Sequence, residues 1–361
     1  MLAAAGVILG LVPGLFKREN FTDLILVAFV PGLIFEASLT LNLPELRRML
    51  IPVSLLATFG VGLTVLCIGA LAHYVIGFSW ANAMLLGAIL AATDPIAVIT
   101  LLRQLKAPRR LAAILEGESL FNDGTGVAIF AAVLGSILAG TPSPADASWR
   151  FFLLTGGGIV VGILVGAVGV LIVRGTDEAQ LEILATLAIA YGSYLAADVL
   201  HFSGIVAVVC AGIVVARYGS ATGRLRGTQL LGFWNLLAFV LNAILFLLVG
   251  TVVPTAEVVA VGFEVLIAYA IMFATRAVPT YLLLAIADPR ATRIPWPWRH
   301  LTFWGGLRGA LGVALALSVA GLRGVAADVS VVAYGVILLS LIIQGGLIVP
   351  VTRALAVGQE P

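Results

Sequence analysis

The amino-acid sequence predicts an all-α, polytopic membrane protein with about 12 transmembrane helices. Of its 361 residues, 61% are hydrophobic and only 11% are charged, whereas soluble domains have about 25% charged residues. The mean hydropathy is +1.14. Apolar runs of roughly 20 residues, the length that crosses a bilayer, recur along the whole chain. The formal net charge of +2 does not indicate a nucleic-acid partner.

The candidate spans follow one another with short connections between them. They cover roughly residues 1–16, 21–42, 50–76, 81–102, 111–139, 150–173, 180–199, 202–216, 230–253, 256–286, 300–321 and 329–352. The polar linker at 141–148, which contains two prolines, is expected to form a solvated loop. Cys67 and Cys210 lie inside apolar runs, so we expect no disulfide framework and no cysteine metal site. No resident cofactor is expected.

Basic residues are unevenly distributed between the two sides on which the connections alternate. One side holds fourteen of them: Arg47, Arg48, Arg103, Lys106, Arg109, Arg110, Arg174, Arg217, Arg224, Arg226, Arg290, Arg293, Arg299 and Arg353. The other side holds four: Lys17, Arg18, Arg150 and Arg323. Because cytoplasmic loops are enriched in lysine and arginine, the first side is expected to be cytoplasmic, together with the C-terminus.

Ionisable residues inside spans are functional candidates, since a charge at mid-bilayer costs at least about 2.5–3.5 kcal/mol. For Glu182, Asp198 and Glu264, a structural ion pair or an interfacial position is the favoured interpretation. The role of Glu36 stays open. The surrounding sequence favours a functional role for the remaining five residues, which are Asp94, Glu118, Asp123, Arg276 and Arg308.

The densest polar run, residues 118–125, lies near the start of the fifth span. Helical geometry places Glu118 and Asn122 on one face and Ser119 and Asp123 on the adjoining face. We expect the first pair to bind a neighbouring helix and the second pair to face a water-filled cavity. A carboxylate beside a hydroxyl offers oxygen ligands to a hard monovalent cation, and burial can make the same carboxyl take up a proton instead.

Two spans are predicted to be broken near their middle. In the fourth span, Pro95 removes a backbone donor and disfavours helix at Asp94, which frees carbonyls such as that of Thr93. In the eleventh span, three glycines surround Arg308. Interrupted helices at corresponding places in the two halves of a chain indicate a transporter binding site.

With these motifs the chain resembles the monovalent cation:proton antiporter-1 family, the prokaryotic sodium/proton antiporters related to animal sodium/proton exchangers. The matching segments are residues 33–37, 87–95, 115–124, 203–207, 241–250 and 304–310. The resemblance implies an inverted-repeat antiporter fold in which two broken helices cross. It also implies thirteen helices, so this chain is expected to lack the first.

The resemblance implies roles for the residues around the breaks. The implied cation- and proton-binding residues are Asp123, Asp94, Ser119 and Thr93. The implied ion pair and its polar network are Glu118, Arg276, Asn122 and Arg308. In this assignment Asp123 carries either the cation or the proton, and Glu118 pairs with Arg276. Arg308 lies at the helix crossing, where it either offsets helix dipoles or takes part directly in transport.

The resemblance further implies a dimeric, elevator-type secondary transporter of the cell membrane, and not an enzyme. A dimerisation bundle would comprise residues 1–45 and 178–253, and residues 141–177 would form a linker helix. Residues 46–140 and 254–361 would form the core bundle that transports the ion. The expected partners are Na⁺ (or Li⁺ or K⁺), H⁺, the lipid bilayer and a second copy of the chain.

Asn122 favours electroneutral exchange of one cation for one proton. Electrogenic relatives carry two adjacent aspartates where this chain has Asn122 and Asp123. A potassium/proton exchanger or an electrogenic exchanger on the same fold stays open as an alternative. A channel or a non-transporting scaffold is a more distant alternative. The sequence shows no pore-lining ring of repeated filter residues, and a scaffold does not require this set of charges in lipid. His73, His201 and His300 lie near span ends and are expected to be interfacial.

Overall fold

The computed structural model describes residues 25–94, 96–105, 107–140, 144–173, 178–222, 228–252, 255–290 and 293–355. Within these ranges the chain is helical between short connections and contains no strand, which confirms the predicted all-α fold. Several residues used in the sequence predictions lie outside the described ranges. They are the first span at 1–16, Pro95, Lys17, Arg18, Lys106, Arg174, Arg224 and Arg226.

The described helices follow the predicted spans closely. They are α1 (Val30–Thr40), α2 (Leu43–Arg48), α3 (Leu50–Ile76), α4 (Trp80–Ile89), α5 (Ile96–Gln104), α6 (Arg109–Leu138), α7 (Pro144–Val173), α8 (Ala179–Val199), α9 (Gly204–Thr222), α10 (Thr228–Val252), α11 (Thr255–Ala260), α12 (Gly262–Ala287), α13 (Trp296–Trp304), α14 (Ala310–Val319) and α15 (Ala327–Ala354). Among the described residues, seven helices are long and apolar enough to cross a membrane. These are α3, α6, α7, α8, α10, α12 and α15.

The loop predicted over residues 141–148 is wrong in its second half, because α7 begins at Pro144. Proline is favourable in a first helical turn, where its missing N–H needs no partner. Asp146 also lies in that first turn, where a carboxylate offsets the positive end of the helix dipole. Residues 141–143 lie outside the described part of the chain.

Both predicted breaks divide a span into two half-helices. In the fourth span, α4 ends at Ile89 and α5 begins at Ile96. In the eleventh span, α13 ends at Trp304 and α14 begins at Ala310, so Gly305–Gly309 is non-helical. Non-helical backbone at membrane depth requires hydrogen-bond partners within the protein, which the functional site provides.

The chain divides into two compact units, the first of which comprises Met1–Leu41 and Ser148–Val253. In its described part, α1 packs against α9 and α10. The rings of Phe35 and Trp234 lie 4.8 Å apart between centroids, and the Trp234 indole donates to the Thr186 hydroxyl at 3.1 Å. The Tyr191 hydroxyl donates to the Ala28 carbonyl at 2.8 Å. These contacts give the polar groups of Trp234 and Tyr191 hydrogen-bond partners inside a largely apolar bundle.

The second unit comprises Asn42–Ala147 and Pro254–Pro361, and it contains both pairs of half-helices. Within it, α3 and α4 approach closely at glycines on both helices. A Cβ atom at Gly87 would lie 2.7 Å from the Val65 carbonyl oxygen, and one at Gly69 would lie 2.6 Å from the Met84 sulfur. Small residues at such contacts let two backbones pack directly in a membrane. This packing fixes α4, and therefore the start of the first break.

We predict that Gly87→Ala destabilises the protein, because the added methyl group overlaps the backbone of α3 at Val65. Overpacking of this kind costs about 1–3 kcal/mol, which corresponds to a fall in melting temperature of about 3–10 °C. The measurement is thermal unfolding of the detergent-purified protein. Gly62→Ala on α3 is the control, since a Cβ there meets nothing within 4 Å. Equal melting temperatures for the two variants would contradict the packing argument.

Candidate functional site

The two breaks hydrogen-bond directly to each other. The Asp94 backbone N–H donates to the Leu307 carbonyl at 2.8 Å. The Arg308 guanidinium donates through Nη1 to the carbonyls of Ala91 at 2.8 Å and Ala92 at 3.1 Å. A positive charge therefore lies at the carbonyl end of α4, where it offsets the negative end of the helix dipole.

The opposite charge lies at the other half-helix of the crossing. A Cβ atom at Gly309 would lie 2.5 Å from Asp94 Oδ2, so the Asp94 carboxylate contacts the residue that immediately precedes α14. A carboxylate at a helix N-terminus is stabilised by the exposed N–H groups there. Each break therefore supplies a charge that stabilises the helix end formed by the other break. Glycine at 309 is required because any side chain would displace Asp94.

Thr93 connects the first break to α6 through its backbone and its side chain. The Ser119 hydroxyl donates to the Thr93 carbonyl at 2.8 Å. The Asn122 amide donates to the Thr93 hydroxyl at 2.6 Å and accepts from the Thr93 N–H at 3.4 Å. All three residues are buried. The non-helical backbone of the fourth span is thus held by two residues one turn apart on α6.

The predicted division of faces on α6 holds only in part, because Asn122 and Ser119, which were placed on different faces, both bond to Thr93 in the break. Ser119 was expected to face a water-filled cavity, but it is buried and its hydroxyl is bonded to Thr93. The reason is that the break leaves the Thr93 carbonyl without a helical donor, and the Ser119 hydroxyl supplies one. Asp123 lies one turn after Ser119, is partly buried and interacts electrostatically with Asp94.

A buried ion pair lies beside this cluster. Arg276 on α12 approaches Glu118 on α6 with 2.5 Å between Nη2 and Oε1, and both side chains are almost fully buried. The same Nη2 group donates to the Thr302 carbonyl on α13 at 3.4 Å. The pair therefore links three helices. The resemblance groups Asn122 with this pair, whereas the structure places the Asn122 amide on Thr93.

Several contacts of the site were not singled out from the sequence. The Thr125 hydroxyl donates to the Ala57 carbonyl in a π-helical turn of α3 at 2.5 Å. A Cβ at Gly306 would lie 2.7 Å from Arg276 Nε, so this glycine makes room for the guanidinium. The Ser340 hydroxyl accepts the Arg308 backbone N–H at 3.0 Å. A serine inside the apolar run of α15 is the one local signal that could have indicated the last contact.

Comparison with known proteins gives the family of this chain. A family-wide sequence comparison matches residues 1–354 to the family described as "Sodium/hydrogen exchanger, transmembrane". The chain belongs to the sodium/hydrogen exchanger family. This confirms the resemblance predicted from the sequence motifs. Members of the family are transporters, so the family assignment also agrees with the expectation that the chain is not an enzyme.

Individual relatives agree with this family. The chain is 38% identical over 328 residues to the Na(+)/H(+) antiporter ApNhaP of Aphanothece halophytica, covering 90% of this chain and 63% of that protein. It is 34% identical over 362 residues to the Na(+)/H(+) antiporter NhaP of Pseudomonas aeruginosa, covering 96% of this chain and 84% of that protein. The chain thus spans less than two thirds of the length of ApNhaP.

A solved structure shows the same fold. The sodium proton antiporter MjNhaP1 from Methanocaldococcus jannaschii superposes with a TM-score of 0.83 at 22% sequence identity. The match covers 99% of this chain and 92% of that one. The predicted antiporter fold is confirmed by this likeness.

We predict that Glu118→Ala and Arg276→Ala each reduce stability strongly and that their effects are not additive. Breaking a buried pair on one side leaves an uncompensated charge, which commonly costs about 3–5 kcal/mol. The double variant should therefore be less destabilised than the sum of the two single variants. The measurement is a double-mutant cycle on the free energy of unfolding.

The pair formed by Arg48 and Glu45 serves as the control for that cycle. Its Nη1–Oε1 distance is 2.9 Å, but the Arg48 side chain is 60% exposed. Exposed pairs contribute about 0–1 kcal/mol, so Arg48→Ala should change stability little. Simple additivity between Glu118 and Arg276 would mean that they are not partners, and Arg308 would be the next candidate partner for Glu118.

Proposed function

We propose that this chain is a secondary active transporter that exchanges Na⁺ for H⁺. The observation that supports this most directly is that Asp123 lies one helical turn from Ser119 and interacts electrostatically with Asp94 at the crossing of two broken helices. The matched relatives are named Na⁺/H⁺ antiporters, which favours sodium as the cation. The groups at this site can bind an ion but are not arranged to break a covalent bond, so the site suits a carrier and not an enzyme.

The proposed cation ligands are the Thr93 carbonyl, the Ser119 hydroxyl and the carboxylates of Asp123 and Asp94. Oxygen ligands are those that hard cations prefer in proteins. The hydrogen bond from Ser119 to Thr93 satisfies two of these oxygens without a cation. Cation binding need not break that bond, because the Ser119 oxygen and the Thr93 carbonyl oxygen each keep a free lone pair for the ion. The same hydrogen bond holds the two oxygens next to each other, which favours their binding one cation together.

The proposed exchange follows from competition between cation and proton for Asp123. An ionised carboxylate in a partly buried site is costly, and either a bound cation or a proton removes that cost. The two occupants exclude each other because each uses the same carboxylate. Lowering the pH on the side that offers sodium should therefore raise the apparent KM for Na⁺.

A count of the buried charges favours one-for-one stoichiometry. Asp94 and Glu118 carry two negative charges, and Arg276 and Arg308 carry two positive charges, so this set is neutral. Asp123 adds one negative charge, which one Na⁺ or one H⁺ cancels. The two loaded states are then neutral and only the empty carrier has a net charge. Movement of the empty carrier is disfavoured, which couples the flux of sodium to that of protons.

We further propose that the unit containing the site is the moving core bundle of an elevator-type carrier. The unit formed by Met1–Leu41 and Ser148–Val253 would then form the dimerisation bundle of a homodimer. The proposed location is the cell membrane, with the C-terminus in the cytoplasm. The basis for this orientation is the excess of basic residues that the sequence assigns to that side.

We predict that Asp123→Asn abolishes cation-driven proton flux while the protein still folds, because an amide neither exchanges a proton nor provides a charge for the cation. The assay uses proteoliposomes with an internal pH dye, challenged with Na⁺, Li⁺ and K⁺ in turn. Asp328→Asn, at an exposed carboxylate in the first turn of α15, is the matched control and should transport normally. Flux at the wild-type rate in Asp123→Asn would remove this residue from the mechanism. A response of the wild type to K⁺ alone would favour the potassium/proton alternative.

We also predict that transport is electroneutral, because Asn122 does not titrate and leaves Asp123 as the one carboxyl that cycles. A membrane potential acts on transported charge with about 2.3 kcal/mol per charge per 100 mV. With zero net charge moved, voltage has no effect on the reversal point. The test clamps liposomes at several potentials with potassium and valinomycin and measures where sodium-driven proton flux reverses. A reversal point that moves with voltage would indicate that a second carboxylate binds and releases a proton in each cycle, and Asp94 is the first candidate.

A further inference from the structure

Ser340 and Gln344 form a buried polar pair inside the apolar helix α15. Ser340 is 0% exposed and Gln344 is 1% exposed. The Ser340 hydroxyl donates to Gln344 Oε1 at 2.6 Å and accepts the backbone N–H of Arg308 at 3.0 Å. The helix is π-helical over Ser340–Gln344, a local irregularity that is frequent at functional sites.

The Ser340 hydroxyl bonds differently from several other buried hydroxyls in the described helices. Buried hydroxyls in helices usually donate to a carbonyl one turn earlier in the same helix, where they satisfy themselves locally. The hydroxyls that do so here include those of Ser38, Thr64, Ser136, Ser193, Ser330 and Thr352. Ser340 bonds to a side chain and to the break in the eleventh span instead. Ser119 on α6 also bonds to a break and not to its own helix.

One peptide group connects Ser340 to the candidate cation site. The carbonyl of the Leu307–Arg308 peptide accepts the Asp94 N–H, and the N–H of the same peptide donates to Ser340. A trans peptide is a rigid plane whose C=O and N–H point in opposite directions. A displacement on the Ser340 side is therefore transmitted to Asp94 on the other side. Thr93, whose carbonyl is a proposed cation ligand, immediately precedes Asp94.

The unpaired amide nitrogen of Gln344 indicates that this residue is present for its amide oxygen, which accepts the Ser340 hydroxyl. Among the described residues, Gln344 Nε2 has no hydrogen-bond partner, although the atom is buried. A buried donor without a partner costs free energy that a leucine at this position would avoid. Accepting the Ser340 proton polarises the hydroxyl and makes its oxygen a better acceptor for Arg308. A buried polar atom that stays unsatisfied in a network is typical of a residue kept for function and not for stability.

We propose that Ser340 and Gln344 are positioning residues of the cation site. They hold the Leu307–Arg308 peptide, and that peptide holds Asp94 and the adjoining Thr93 carbonyl where a cation can be coordinated. The proposal rests on the proposed cation/proton exchange. Because the pair acts on the ligand geometry and not on the amount of folded carrier, it controls cation affinity more than maximal rate.

The test measures sodium-driven proton flux of Ser340→Ala in proteoliposomes over a range of sodium concentrations. The apparent KM for Na⁺ should rise about three- to tenfold, the effect expected for one lost hydrogen bond, while the maximal rate per folded protein changes less than about twofold. Ser330→Ala, in the same helix, is the control, since its hydroxyl donates to Ala327 in its own turn. A KM equal to that of the control would overturn the proposal.

Gln344→Leu and the double variant test whether the two residues act in series. Gln344→Leu should raise the KM in the same direction by a smaller factor, and it keeps the test available if Ser340→Ala does not fold. The double variant should be no worse than Ser340→Ala alone, because Gln344 acts through Ser340. Ser340→Thr, which retains a hydroxyl, should recover part of the affinity. Independent, additive effects of the two residues would overturn the proposal.

A binding measurement separates this proposal from the proposed function. Sodium that binds the folded protein raises its melting temperature, and at equal sodium the rise grows with the logarithm of its affinity. We expect a sodium-dependent rise for the wild type and for Ser330→Ala, and a smaller rise for Ser340→Ala at equal sodium. If the wild type shows neither flux nor a thermal shift, the proposed exchange itself fails. If the wild type shows both and Ser340→Ala shows the same shift, the positioning role alone fails.

Discussion

The hydrogen bonds that join the two breaks are the constraint on which the rest of the site depends. A bilayer offers no water to unpaired backbone groups, so an interrupted helix is stable only where other protein groups replace the missing partners. Here the two interruptions supply those partners for each other. The Leu307 carbonyl accepts from Asp94, and Arg308 donates to the carbonyls of Ala91 and Ala92. Neither break is satisfied without the other.

The crossing also explains why two charges can be buried there. Arg308 is 1% exposed, and a lone guanidinium at that depth is expensive. Its cost is offset because carbonyl groups at the end of α4 direct their negative ends towards it. Asp94 is stabilised in the same way at the start of α14. The ion pair of Glu118 and Arg276 then joins α6 and α12, and the bond from Arg276 to Thr302 adds α13. A unit tied together in this way is suited to move as one body, which the proposed elevator mechanism requires.

The sequence predicted the helical architecture and the places where it is interrupted. Proline and glycine act on their own backbone, so the breaks beside Asp94 and around Arg308 could be derived from local patterns. The shared face of Glu118 and Asn122 follows from helical periodicity in the same way. The loop at 141–148 failed because the polar residues that suggest a loop also start helices, and Pro144 and Asp146 do so here.

The partners of these residues could not be derived from local patterns. Arg308 and Ala91 are 217 residues apart in the chain, and the pairing of Glu118 with Arg276 was expected only through the family resemblance. The π-helical turns of α3 and α15 leave no sequence signature either. The direction of a hydroxyl is equally hidden. In the sequence Ser119, Ser330 and Ser340 look alike, as serines in apolar helices. Only the packing decides which of their hydroxyls bond to a break.

At Asn122, the hydrogen bonds that shape the site and the net charge of the site depend on different properties of the side chain. Its amide nitrogen donates to the Thr93 hydroxyl, and its amide oxygen accepts from the Thr93 N–H. A threonine hydroxyl can act as donor or acceptor, so it could reverse its role and donate to a carboxylate of the same shape. The hydrogen bonds around Thr93 therefore do not by themselves require an asparagine. What an aspartate would change is the charge, because the neutral set of Asp94, Glu118, Arg276 and Arg308 would gain an extra negative group beside Asp123. Under the proposed mechanism the stoichiometry of exchange thus depends on the charge at position 122, while the geometry of the cation site depends on the crossing that holds Thr93.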